Sequence, residues 1–167
     1  MKRWFALALA GLLLAPTMSA SSAKNDDVHA FVRGSWKQLR AAHAGQPLIV
    51  HFWGITCGPC RAEMAQWGQF LKTHPRLPLV TIDADLLPDQ VDAVKSMLAQ
   101  SGLSSAENWM FDDDFVERLR YEINPHWQGE IPRTLLIARN GATTTINGVA
   151  DFARIGAWWN NQGGANR

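Results

Sequence analysis

Leu48-Ile-Val-His-Phe-Trp-Gly-Ile-Thr-Cys57-Gly-Pro-Cys60-Arg-Ala-Glu-Met64 reads as a strand, a sharp turn and a helix. Leu48 to Trp53 is an apolar run of strand length, too short for a helix. Gly54 breaks it. Pro59 suits a first helical turn, where a missing N–H leaves no bond unmade. From Arg61 to Leu71 the chain carries good helix formers, with Met64, Trp67 and Leu71 spaced to share one face. Two cysteines, two residues apart, therefore stand where a helix begins. A helix N-terminus offers unpaired N–H groups and a partial positive charge. Both favour thiolate over thiol, and in Cys-x-x-Cys motifs the thiol pKa drops from about 8.5 to roughly 3.5–7.5. The short gap lets the second sulfur close on the first, so the pair can attack a foreign disulfide and then release itself.

These are the only two cysteines in 167 residues, which excludes a scaffold stapled by distant disulfides. A hydrophobic content of 47% and a charged content of 19% are those of a globular protein. Eight tryptophans point to packing or to a sticky surface. The N-terminus reads as a secretory leader: basic Lys2 and Arg3, an apolar run from Trp4 to Ala15, then Pro16 and small residues up to Ala23. The alternative is an uncleaved membrane anchor, although the apolar run is short for a span. The expected organisation is thus a signal peptide or anchor over 1–23 and one domain over 24–167. Of the 16 Lys and Arg, two lie in the leader, leaving 14 against 15 acidic residues and a net charge of −1. No basic patch remains, so nucleic acid is not an expected partner. Export would bring the pair into an oxidising compartment, where disulfide chemistry is useful.

Along the rest of the chain, Lys24 to His29 reads as a polar, frayed start. Ser35 with Gln38 makes a capping-box pattern for a short helix stopped by Gly45. Leu79 to Asp83 is a second buried strand. Pro88 and Asp89 open a helix through Gln100, with Val91, Val94 and Leu98 on one face. Ser104 to Asp114 is a loop with a short strand at Trp109 to Phe111, and Phe115 to Tyr121 is one or two helical turns. Asn124 to Glu130 is an aromatic loop. Thr134 to Ala138 and Thr143 to Ile146 are strands joined at Asn140-Gly141, a strong hairpin signal. Asp151 caps a last helix, with Phe152, Ile155 and Trp158 or Trp159 inward. A β-α-β unit followed by a hairpin and a closing helix predicts an α/β fold, a central mixed sheet flanked by helices on both faces.

The segment from Phe52 to Met64 resembles the active-site segment of thioredoxin-fold proteins. It looks most like the exported TlpA-like thiol-disulfide reductases, which read F-W-A-x-W-C-x-P-C-R-x-E-x-P there. Gly129-Glu-Ile131-Pro132-Arg-Thr134, followed by a strand and Asn140-Gly141, is similar to the cis-proline loop of that family. The resemblance spans roughly residues 30 to 160. It implies a thioredoxin-like fold and a protein-disulfide reductase, with Cys57 attacking and Cys60 resolving. Ile131 and Pro132 would meet the substrate chain, the backbone of Ile131 pairing with it like an added strand. The redox-active Cys57–Cys60 disulfide serves in place of any bound cofactor. The resemblance further implies a periplasmic monomer, touching the membrane only through an uncleaved leader, with protein disulfides as substrates and a membrane thiol transporter of the DsbD or CcdA kind as electron donor. Gly58-Pro59 matches the reducing thioredoxins rather than the oxidant DsbA.

His51 departs from the family, where thioredoxins carry a buried Asp and exported relatives often Asn. It is a candidate proton acceptor for Cys60 or else a core histidine satisfied by a backbone carbonyl. Glu63 and Glu130 are further candidates, with solvated carboxylates as their ordinary role. Trp53 and Trp127 are expected to frame the site as an apolar docking surface, with Trp36, Trp67, Trp109 and Trp158 in the core. Thr56 stands where relatives carry Trp. Three alternatives stay open for the pair: a structural disulfide, a disulfide-donating oxidase, and a non-enzymatic Cu(I) site of two thiolates. No Cys or His cluster completes a zinc set.

Overall fold

The computed structural model describes residues 28–85 and 90–163. The leader over 1–23, the polar segment after it and the helix opening at Pro88 and Asp89 lie outside the described residues. Among the described residues no helix is long and apolar enough to cross a membrane.

The chain runs β1 (Val28–Phe31), α1 (Ser35–Ala42), β2 (Leu48–Trp53), α2 (Gly58–Thr73), β3 (Leu79–Asp83), α3 (Val91–Gln100), β4 (Glu107–Phe111), α4 (Val116–Ile123), β5 (Arg133–Ile137), β6 (Thr143–Asn147) and α5 (Phe152–Asn161). Six strands form one sheet in the order β1-β4-β3-β2-β5-β6. The first four are parallel to one another, and β5 runs antiparallel to both of its neighbours, β2 and β6. This is the mixed sheet that the sequence predicts. Its centre is β2, buried at every position because both of its lateral neighbours and both sheet faces cover it.

Alternation along the strands divides the core in two. Ile49 and Trp53 of β2, Leu79 of β3 and Leu136 of β5 face α2, α3 and α5, where Met64, Trp67, Val94, Leu98, Ile155 and Trp159 close the layer. Leu48, Val50, Phe52, Val80, Ile82 and Phe111 point the other way, against Leu39 of α1, Leu119 of α4 and Trp127.

Three local expectations are corrected. The start of the chain is not frayed from residue 28 on: Val28 to Phe31 pair in parallel with Asn108 to Phe111. Four residues carry too little alternation to read as a strand, and only the distant β4 makes them one. That pairing also lengthens β4 beyond the short segment expected. Ser35 is not the cap of α1. Gly34 takes that place at φ +86°, while the Ser35 hydroxyl accepts from the Val32 amide at 3.0 Å. The Gly34 amide donates to Glu122 of α4 at 2.9 Å. The expected cap on α5 is present, with Asp151 accepting from the Arg154 amide at 3.0 Å.

Candidate active site

β2 ends at Trp53, and within four residues the chain turns into α2. Gly54 is required in that turn. A Cβ there would fall on the Asp85 carboxylate and lie 2.8 Å from Ile131 Cδ1. Cys57 is itself the N-cap of α2, with extended backbone and a sulfur that accepts from the Cys60 amide at 3.2 Å. Gly58 and Pro59 fill the first turn. Cys57 and Cys60 are joined by a disulfide, Cα–Cα 5.2 Å. Cys57 is half-buried, whereas Cys60 is wholly buried beside Trp53 and Met64. The first sulfur is thus the accessible one, and the N–H already aimed at it would stabilise a thiolate once the bond opens.

The Ile131–Pro132 peptide bond is cis. It brings the Ile131 carbonyl oxygen to 3.9 Å from Cys57 Sγ, so the loop before β5 and the tip of α2 form one surface. Trp127 holds that loop from within by donating its indole N–H to the Glu130 carbonyl at 3.0 Å. Pro132 is buried and Ile131 half-exposed.

In the layer between β2 and α2 lies a buried polar cluster. His51 Nδ1 is 3.1 Å from the Thr134 hydroxyl. His51 Nε2 is 3.2 Å from Glu63 Oε1, an ion-pair distance with poor hydrogen-bond geometry, and neither atom has another hydrogen-bond partner among the described residues. The second Glu63 oxygen accepts from the Ala150 amide at 2.7 Å. Both side chains are essentially inaccessible, 0% and 1%. Glu63 is therefore no solvated carboxylate. Its place one turn after Cys60 on the inward side of α2 buries it against β2. Buried ionisable groups persist only when paired, and His51 supplies the pairing.

Asp83, at the end of β3, is paired in register with Trp53. Burial pushes its carboxyl up from 3.8 to about 7, against the lowering effect of the Asp85 amide, which donates to it at 3.1 Å. Asp85 itself accepts from the Thr56 amide at 2.6 Å and from the Thr56 hydroxyl at 2.9 and 3.0 Å. Neither aspartate was marked by any sequence motif. Their signal is two acids spaced across a strand end, visible only once β3 is known to lie beside β2.

Other expected site residues fall elsewhere. Trp53 is fully buried and Trp127 is 4% exposed, so neither offers a docking surface. Trp53 is held inward by the pleat of β2, and Trp127 packs on Phe52 with ring centroids 4.7 Å apart. Glu130 is exposed and accepts from the Gln128 amide at 3.2 Å, whereas the His51 cluster is buried. Of the tryptophans assigned to the core, Trp67 is wholly buried, whereas Trp36, Trp109 and Trp158 are half-buried. Arg133 follows the cis-proline and is 7% exposed. It bonds Asn147 at 3.1 Å and lies over the Trp127 ring. Burial lowers its pKa, opposed by the charge of Glu130.

The structure resembles a secreted Mycobacterium tuberculosis disulfide oxidoreductase described as homologous to Escherichia coli DsbE, at TM-score 0.57 and 22% identity over 72% of this chain and 85% of that one. The fold is thioredoxin-like. A thiol:disulfide interchange protein of the thioredoxin family from Chlorobium tepidum matches at TM-score 0.54 and 21% identity, over 74% of this chain and 83% of its own. StoA from Bacillus subtilis matches at TM-score 0.52 and 25% identity, over 69% and 83%. No protein-family model and no curated protein matches the sequence. Within this fold, an accessible sulfur at a helix tip and a buried partner three residues on form a pair built for thiol–disulfide exchange.

Proposed function

We propose that the protein is an exported thiol-disulfide oxidoreductase of TlpA-like type that reduces disulfides in other proteins. The observation that carries this reading is the geometry of Cys57: half-exposed, capping α2, served by the Cys60 amide and bordered by the Ile131 carbonyl. The Gly58-Pro59 dipeptide supports the reducing direction. The secreted nature of the Mycobacterium tuberculosis neighbour and the leader-like N-terminus support a periplasmic or otherwise extracytoplasmic location.

In this mechanism the reduced Cys57 thiolate attacks one sulfur of a substrate disulfide, and the other sulfur leaves as a thiolate. Cys60 then gives up its proton and attacks Cys57 Sγ. The attacked substrate sulfur, until then bonded to Cys57, is expelled as a thiolate and Cys57–Cys60 is oxidised, two electrons having passed to the substrate. The backbone of Ile131 holds the substrate chain as an added strand, with Pro132 fixing that backbone against the sulfurs. The His51–Glu63 pair takes the Cys60 proton: its two facing atoms have no other hydrogen-bond partner among the described residues, and His51 packs on Trp67, a member of the same core cluster as Cys60. Glu130, exposed and apart, has no such role. Re-reduction falls to a membrane thiol transporter of the DsbD or CcdA kind, and the protein works as a monomer.

The test is the reduction potential of Cys57–Cys60 in the protein without its leader, together with its turnover on a protein disulfide. A potential near about −270 mV with turnover supports a reductase. A value near about −120 mV makes the protein a disulfide donor.

A further inference from the structure

The Asp85 carboxylate stands outside the exchange chemistry, yet it is bound to the residue just before the attacking cysteine. Its two oxygens take the amide and the hydroxyl of Thr56 at 2.6 to 3.0 Å. The same carboxylate occupies the space a Gly54 side chain would fill, with Ile131 Cδ1 on the other side of that space. Ile131 in turn touches Cys57 Sγ through its carbonyl. Asp85, Gly54, Ile131 and Cys57 are therefore one contiguous group around the turn.

We propose that Asp85 is a positioning residue that restrains Cys57, keeping a fixed negative charge against the turn that presents the sulfur. This deepens the reading of Cys57 as the attacking thiolate and rests on it. The helix tip favours the thiolate through the Cys60 amide. Asp85 opposes it in two ways. It is a like charge bound to the residue next to Cys57, and it holds the Thr56 amide, a donor that is then no longer available to a sulfur anion. Among the described residues, other charged and titratable groups lie around the turn, Arg133 beside the cis-proline included. Arg61 of α2 is tied to the Ile55 carbonyl at 3.0 Å. Glu130 lies on the cis-proline loop, and His51 and Glu63 are paired in the core. Asp83 is the nearest acid to Asp85 on its own segment. Burial pushes its carboxyl up to about 7. A helix-capping cysteine with no such neighbour would be the more acidic.

The test titrates Cys57 in the reduced full chain, by thiolate absorbance and by its alkylation rate against pH, in the wild type, Asp85→Asn and Asp85→Ala. The expected result is a Cys57 pKa lower by about 0.5–1 unit in Asp85→Asn, which raises the thiolate fraction below that pKa roughly three- to tenfold. Asp85→Ala should lower it comparably, since the charge is what both remove. Raising the salt concentration should move the wild type toward the variants and leave the variants nearly still. This salt titration needs no variant: a wild-type pKa that does not fall with added salt overturns the proposal even if both substitutions unfold the protein. A Cys57 pKa that is unchanged or higher in Asp85→Asn, or a wild-type pKa indifferent to salt, overturns the proposal. Disulfide turnover measured on the same preparations separates the two readings. Loss of turnover in the wild type sinks the reductase reading, and an unchanged titration beside full turnover sinks the role of Asp85 alone.

Discussion

The two faces of the sheet are built from different material. On the face covered by α2, α3 and α5, the strands bury His51, Thr81, Asp83, Asn108 and Thr134, and α2 adds Glu63. Thr81 donates to Asn108 at 2.6 Å, and the Asn108 amide reaches the carbonyls of Leu103 and Ala106 at 3.1 and 3.0 Å. The opposite face, under α1 and α4, is aliphatic and aromatic apart from Ser35 and Arg133. Burying polar groups costs stability unless every one is paired, so a face that keeps six of them is tuned for something besides stability. That face lies under the cysteine helix. The lesson is a contrast of content: one layer is almost wholly apolar, and the other, under the cysteine helix, keeps buried polar side chains.

The sharpest attack on this comparison is at the sulfurs. Cys57→Ser and Cys60→Ser should each lower disulfide turnover at least about a thousandfold, and Cys60→Ser should accumulate a mixed disulfide with substrate. Mass spectrometry of trapped complexes checks it. Next comes the polar layer. Glu63→Ala leaves His51 Nε2 buried without a partner and should cost about 3–5 kcal/mol in urea unfolding, with slower resolution of the mixed disulfide. Leu119→Ala, on the other face, should cost about 2–5 kcal/mol while leaving kcat/KM of the folded protein unchanged. A drop in kcat/KM with Leu119→Ala would break the contrast.

The pH dependence sharpens it further. Asp83 holds its proton more tightly in the folded state than in the unfolded one, where 3.8 is the ordinary value. Its contribution is therefore complete below about pH 4, declines as pH rises toward 7, and is flat above that. Between pH 5 and 8 the wild type should lose about 2–3 kcal/mol relative to Asp83→Asn, read as the difference between urea curves. A difference that stays level with pH would remove Asp83 from the polar layer's account. The smallest effect belongs to Glu130→Gln. An exposed carboxylate outside both layers should change stability by less than about 0.5 kcal/mol and turnover by less than about twofold.

Much of the fold was legible because its signals are local. The apolar run of β2, Pro59 in the first turn, Asn140-Gly141 and the Asp151 cap each act through residues close in sequence. The missed parts all depend on partners far along the chain. Val28 to Phe31 is a strand only because β4 lies beside it. Gly34 displaces Ser35 as a cap because Glu122 comes to its amide. Trp53 and Trp127 carry the same composition signal as a docking surface, and only the pleat and the Phe52 contact turn them inward. Glu63 reads like any helix-surface glutamate until β2 is laid under α2.

By itself the sequence determined the cysteine pair at a helix start, the central strand before it, the hairpin after Pro132 and the mixed sheet these imply. Those follow from short-range rules: chain stiffness, turn chemistry and periodicity. Only the tertiary structure decided which charges meet. It joined His51 to Glu63, drew Asp85 onto Thr56, buried Asp83 beside Trp53 and left Glu130 in solvent. The reason is physical. Electrostatic and hydrogen-bond energies depend on distances of a few ångströms between strands that are remote in sequence, and those distances are fixed only when the sheet is assembled.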